Sequence, residues 1–223
     1  VWIAIGVKQR SSAGGDSSTR ACGAGAMLMA QALMQAYWLR GEIDHATAWP
    51  LHACDLGAWL APISLMVHAG TASRWLGLIV TFWGFGFATQ AFLQPTLASG
   101  PDDMQFYFYW TNHTAIVAAA LYHTIVLGLR PTLVDLWKVI AITFVWTAAV
   151  FSIDLVTGWN YMFLGDGQPE QATVVDVLGP WPWRVIWMVL IGIGVFHIVW
   201  VVIRLSGRGS MAPPRDRGEE AHA

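Results

Sequence analysis

Charge is what this chain has least of. Of its 223 residues only 12% are Asp, Glu, Lys or Arg, while 56% are hydrophobic. A water-exposed domain carries about 25% charged residues, so half that share leaves too little polarity to coat a soluble fold. Cysteine is nearly absent: Cys22 and Cys54 are the two, and neither sits in a CxxC or a repeated spacing. A metal framework or a disulfide scaffold is therefore not indicated, and the spacing neither requires nor forbids a bond between them. The order of basic, apolar and small residues that marks a cleavable signal peptide is also missing. Basic residues form no patch of the kind that binds nucleic acid.

What is present is a series of long apolar runs, and about 20 such residues suffice to cross a bilayer. Seven hydrophobic segments are expected, giving an all-α, polytopic transmembrane helix bundle. Residues 1–7 read as the end of a first helix whose start is missing. The others cover residues 21–39, 51–69, 75–93, 106–129, 133–156 and 183–203. Residues 1–206 form the predicted transmembrane domain, and 207–223, charged and containing Pro213 and Pro214, a disordered cytoplasmic tail. No internal repeat is visible.

Alternate loops fall on opposite sides of such a bundle. One side collects Lys8, Arg10, Arg20, Arg74, Arg130, Lys138, Arg204, Arg208, Arg215 and Arg217; the other has only Arg40 and Arg184. Basic residues stay in the cytoplasm, so the first side is inside. This predicts an inner-membrane protein with a cytoplasmic C-terminus.

Ionisable groups inside a membrane cost about 2.5 kcal/mol or more each, and here several recur at one depth. His52, Cys54 and Asp55 open segment three; Asn112 and His113 lie about two turns into segment five. Asp154 ends segment six, and Gln31, Gln35, Gln90 and Gln94 come to a similar level. Each alone has a bland reading, because helix ends are naturally polar. His68, Asp135 and His197 are weaker candidates. Together the first group predicts one polar cavity near the outer face, since polar groups in lipid need partners. His52, Asp55 and Trp59 are spaced i, i+3, i+7 and share a helix face, with Cys54 about 100° around from Asp55. A buried Cys is more often an inert small hydrophobe; to react, its thiol needs a nearby base, for which His113 is the natural candidate. His123, deeper and about 80° around the same helix, reads as a packing or hydrogen-bonding residue. Gly158 is placed to end segment six, leaving Asn160 and Tyr161 in an outer loop. Trp181 and Trp183 suit the interfacial aromatic belt.

Several stretches together resemble the YwaF-type bacterial integral membrane family: residues 50–55, the His113 segment, Arg130 with Pro131, residues 157–162 and residues 178–183. That family is remotely similar to a eukaryotic transmembrane acyltransferase that remodels ether phospholipids through a cysteine. This in turn is similar to intramembrane hydrolases that use a Thr and a His. The resemblance implies that Cys54 matches the acyl-carrying cysteine and His113 the base. Asp55 or Asp154 would then orient the His, and Asn112 or Asn160 would donate to the oxyanion. His52, Asn112, Asp154, Asn160 and Tyr161 are the expected substrate-binding residues, membrane lipid the expected partner, and no cofactor or metal is called for. The competing expectation is a small-solute transporter or ligand-binding membrane protein using the same pocket. A structural membrane subunit is a further one. Segment seven contains no lysine, which excludes a retinal Schiff base there.

Overall fold

A computed structural model of the protein describes residues 1–10, 16–67, 70–97, 99–167 and 174–206. Among these residues all regular structure is helical. In chain order the helices are α1 (Trp2–Arg10), α2 (Ser17–Trp38), α3 (Ala53–Met66), α4 (Gly70–Leu93), α5 (Met104–Leu121), α6 (Leu133–Thr157) and α7 (Trp183–Ser206). Each matches one predicted segment. The predicted tail 207–223 and the candidate His68 lie outside the described residues.

The differences have local causes. α2 begins at Ser17, so Arg20, expected in a loop, lies inside the helix. α3 has 14 residues and starts after His52, whose backbone is extended (φ −66°, ψ 142°). Three helices, α4, α6 and α7, are by length and composition apolar enough to cross a membrane. α2 and α5 are long but carry Gln31 and, in α5, Asn112 and His113, all buried within the bundle rather than turned to lipid.

α3 packs against α2, α4 and α5. α6 and α7 lie at the periphery: 22% and 17% of their apolar stretches are buried inside the protein, against 56% for α4. In lipid such helices associate by van der Waals packing and hydrogen bonds rather than by the hydrophobic effect, so close approach matters. Gly84 shows this. A Cβ there would fall 2.7 Å from the Ala120 Cβ and 3.1 Å from the Ile116 carbonyl oxygen, so only glycine lets α4 and α5 meet at that level. Around it α4 takes one π-helical stretch, Gly84–Ala88; such stretches inside α-helices occur often at functional sites. A cluster of Leu78, Phe82, Trp83, Leu136, Val139 and Phe196 ties α4 to α6 and α7.

The two ends of the bundle are chemically distinct. At one, Arg74 of α4 pairs with Asp135 of α6, and Asp135 also completes a capping box with Thr132. Asp135, a candidate intramembrane acid by sequence, therefore serves the start of α6 as the third helical residue of that box. Lys138 lies over the Trp75 ring, and Arg130 donates to the Thr124 carbonyl at 2.8 Å. Somewhat deeper, His123 shares a 2.8 Å hydrogen bond with Ser64 of α3. At the opposite end Asp103 caps α5 by accepting from the Gln105 amide at 2.8 Å. Gly158 ends α6 in the left-handed conformation at φ 74°, which glycine adopts without a Cβ clash. The chain then makes a short 3₁₀ turn, Tyr161–Phe163.

Candidate functional site

The first turn of α3 places Ala53 in the core and leaves Cys54 and Asp55 half-buried beside it. α5 lies alongside and buries Asn112 and His113. Phe87, in the π-helical stretch of α4, and Gln90, just after it, face the same space, and α2 adds Gln35. These side chains line a cavity of about 570 Å³. Its lining is mostly apolar on the α6 and α7 side and mixed elsewhere, where Trp38, Phe87 and Phe108 stand among the polar groups. The polar groups Gln35, His52, Cys54, Asp55, Gln90, Asn112 and His113 come from α2 to α5 and the residue before α3. From α6 and α7 come Ile140, Phe144, Met188, Val189, Ile193 and Phe196, which with Gly192 form an apolar arm of the lining broken by Thr143 and Thr147. Thr143 also lines it, its hydroxyl oxygen accepting from the Trp83 indole at 2.9 Å.

Within the polar end, His113 Nδ1 lies 2.7 Å from the Tyr109 carbonyl oxygen, and the two rings pack at 4.4 Å. A carbonyl can only accept, so Nδ1 carries the proton and Nε2 keeps its lone pair. The Asn112 amide nitrogen faces Asp55 Oδ1 at 3.5 Å, while Asn112 Oδ1 is buried without a partner among the described residues. Cys54 packs beside Ala58, Ala88 and Ile116, one turn along α5 from His113. Among the described residues it hydrogen-bonds to no histidine. Cys54 and Cys22 are both free thiols, set toward opposite ends of the bundle by their positions on α2 and α3.

The remaining predicted site residues, Asp154, Asn160 and Tyr161, do not line the cavity. Asp154 is almost fully buried, and its Oδ1 accepts from the Tyr161 amide at 3.1 Å. Asn160 donates its side-chain amide to the Gly167 carbonyl at 2.8 Å. Tyr161, expected in an outer loop, is wholly buried. Its hydroxyl donates to the His45 carbonyl at 3.0 Å and accepts from the Trp49 amide at 3.1 Å. Burial holds its phenol above the ordinary tyrosine range. The next residues, Met162, Phe163 and Leu164, do reach the cavity.

Arg184 has no place in the sequence reading beyond its count as a basic residue. It is 1% exposed, and its Nη2 donates to the carbonyls of Gly165 and Gly167 at 2.6 and 2.8 Å. Trp181, assigned to the interface by sequence, donates to the Leu164 carbonyl at 2.9 Å, whereas Trp183 is exposed as expected. Arg184 thus anchors the segment that lines the cavity. The signal for it was present: it is one of two basic residues on the side that otherwise excludes them.

A model of the TMEM164 family matches residues 1–200 of the chain. No protein with a curated description and no solved structure matches it.

Proposed function

Since the chain belongs to the TMEM164 family, a family of membrane proteins, we propose that it is a lipid-directed acyltransferase or hydrolase, within that family of the YwaF type. The supporting observation is a cavity whose polar groups come from α2 to α5 and whose lining from α6 and α7 is mostly apolar. A thiol and a histidine with a free Nε2 lone pair stand at its polar end, and an apolar arm of acyl-chain character continues between α6 and α7. A glycerolipid is polar at its ester and apolar along its chain, which matches the two kinds of lining.

In this mechanism Cys54 Sγ attacks the acyl carbonyl carbon, and His113 Nε2 takes the thiol proton. The ester C–O bond breaks, and the leaving alcohol takes that proton from His113. The acyl group remains on Cys54 as a thioester. A second hydroxyl, from a lysolipid or water, then attacks the thioester; its proton passes through His113 back to the thiolate. The proposed setting is a bacterial inner membrane with the Arg74 and Lys138 end cytoplasmic, because basic residues collect there.

A small-solute binder or transporter is the second reading, favoured by the missing hydrogen bond between Cys54 and any histidine among the described residues. The two separate on substitution. With purified protein and phosphatidylcholine, Cys54→Ala and His113→Ala should each abolish acyl release, and the double variant should be no worse than either. Full activity in Cys54→Ala would leave the binder reading standing.

A further inference from the structure

His52 occupies the N-cap of α3, yet its side chain does not cap that helix. Its Nδ1 instead accepts a hydrogen bond from the backbone amide of Met162 at 3.1 Å. An amide N–H only donates. Nδ1 therefore carries its lone pair, and the neutral ring holds its proton on Nε2.

The amide that imposes this tautomer sits in unfavourable backbone. Met162 and Phe163 have φ of 55° and 61°, a region that residues other than glycine seldom adopt. Two such residues in succession persist where the surroundings over-determine them, and they gather at functional sites. The surroundings here are specific. Asp154 holds the Tyr161 amide, the Tyr161 hydroxyl bridges His45 and Trp49, and Arg184 holds Gly165 and Gly167. Tyr161 and Phe163 flank the His52 ring, at 5.1 and 6.1 Å between centroids. The imidazole is thus held in one orientation with Nδ1 occupied. Nε2, on the other edge of a ring that lines the cavity, has no partner among the described residues.

His113 is arranged the other way, with Nδ1 donating and Nε2 free to accept, and both side chains line the same cavity. One cavity thus holds a fixed donor and a fixed acceptor. The side-chain amides that sequence offered as oxyanion donors are engaged elsewhere: Asn160 with the Gly167 carbonyl, Asn112 with Asp55.

We propose that His52 donates its Nε2–H to the carbonyl oxygen of the glycerolipid ester in the cavity, where negative charge develops as Cys54 attacks. This rests on the acyl-transfer reading of the same site. As the S–C bond forms, the carbonyl π pair moves onto oxygen and the thiol proton goes to His113. His52 keeps its own proton throughout and stabilises the oxyanion. The tetrahedral adduct then collapses, expelling the alkoxide, which is protonated by His113.

The test has two parts. In Cys54→Ala protein labelled with ¹⁵N-histidine and held in detergent micelles, long-range ¹H–¹⁵N correlation should show His52 as Nε2–H and His113 as Nδ1–H. A short-chain phosphatidylcholine should shift the His52 Nε2–H resonance, and its diether analogue, lacking the carbonyls, should not. A His52 ring protonated on Nδ1, or an Nε2–H indifferent to the ester, overturns the proposal. In protein that retains Cys54, His52→Phe keeps the ring packing and should slow thioester formation roughly 100-fold or more, the usual loss on removing an oxyanion donor. An unchanged rate in His52→Phe also overturns the proposal. If the parent forms no thioester but the His52 resonance still answers to the ester, the acyl-transfer reading fails and the donor assignment stands.

Discussion

Replacing Arg184 with alanine should loosen the segment that fixes one wall of the cavity. The guanidinium is buried and donates to two carbonyls, at 2.6 and 2.8 Å. A hydrogen bond from a charged donor contributes about 1.5–3 kcal/mol, so the pair contributes about 3–6 kcal/mol. Alanine also avoids the several kcal/mol of burying the charge, which offsets part of that sum. Two carbonyls left without a donor cost about 1–3 kcal/mol each, and with that offset we expect a net loss of about 3 kcal/mol here. At roughly 2–4 °C per kcal/mol for a chain of this size, Tm in detergent should fall by about 6–12 °C, followed by intrinsic tryptophan fluorescence. The damage should be local first. Hydrogen exchange at the Tyr161 and Met162 amides should rise while α3 and α4 stay protected. Arg184→Lys, which lacks the planar fork, should recover only part of the loss. A fall in Tm of less than about 2 °C with unchanged exchange in the turn would refute this role.

Tyr161→Phe removes a hydroxyl that satisfies the Trp49 amide and the His45 carbonyl together; a loss of about 1–3 kcal/mol is expected, read by denaturation in mixed micelles. Gly192 lines the apolar arm, where an added Cβ meets only a Phe87 ring carbon at 3.8 Å. Gly192→Phe should therefore fold normally yet discriminate against long acyl chains. Equal thioester yields from dioctanoyl and dipalmitoyl lipids would show that no chain occupies the arm. The basic asymmetry predicts a bright C-terminal fluorescent-protein fusion and an inactive alkaline phosphatase fusion; the opposite pair of results would reverse the orientation.

The helices were legible because apolar runs broken by polar loops carry both their number and approximate ends. All seven segments correspond to helices. Position along the helices was legible in part: Gln35, His52, Cys54, Asp55, Gln90, Asn112 and His113 share one cavity, while Gln31 and Gln94, expected at the same level, do not line it. Azimuth and backbone bonding were not. Asp154 lies at the expected level but is spent on the Tyr161 amide, and Asn160 is turned to Gly167. These depend on an irregular turn whose left-handed residues, Met162 and Phe163, have no compositional signature. The contact that fixes the His52 tautomer comes from a backbone N–H, which every residue but proline possesses, so no pattern of side chains announces it. Arg184 did leave a trace, as a basic residue on the wrong side, but charge counting gives its side and not its burial.

The claim that the cavity carries acyl chemistry is tested most directly by the mass of the intact protein. Purified protein in micelles with phosphatidylcholine, quenched in acid within a turnover, should gain the mass of one acyl group. Peptide mapping should place it on Cys54, hydroxylamine should remove it, and Cys54→Ala should abolish it. An unmodified Cys54 under these conditions, in protein that still binds the lipid, would contradict the account.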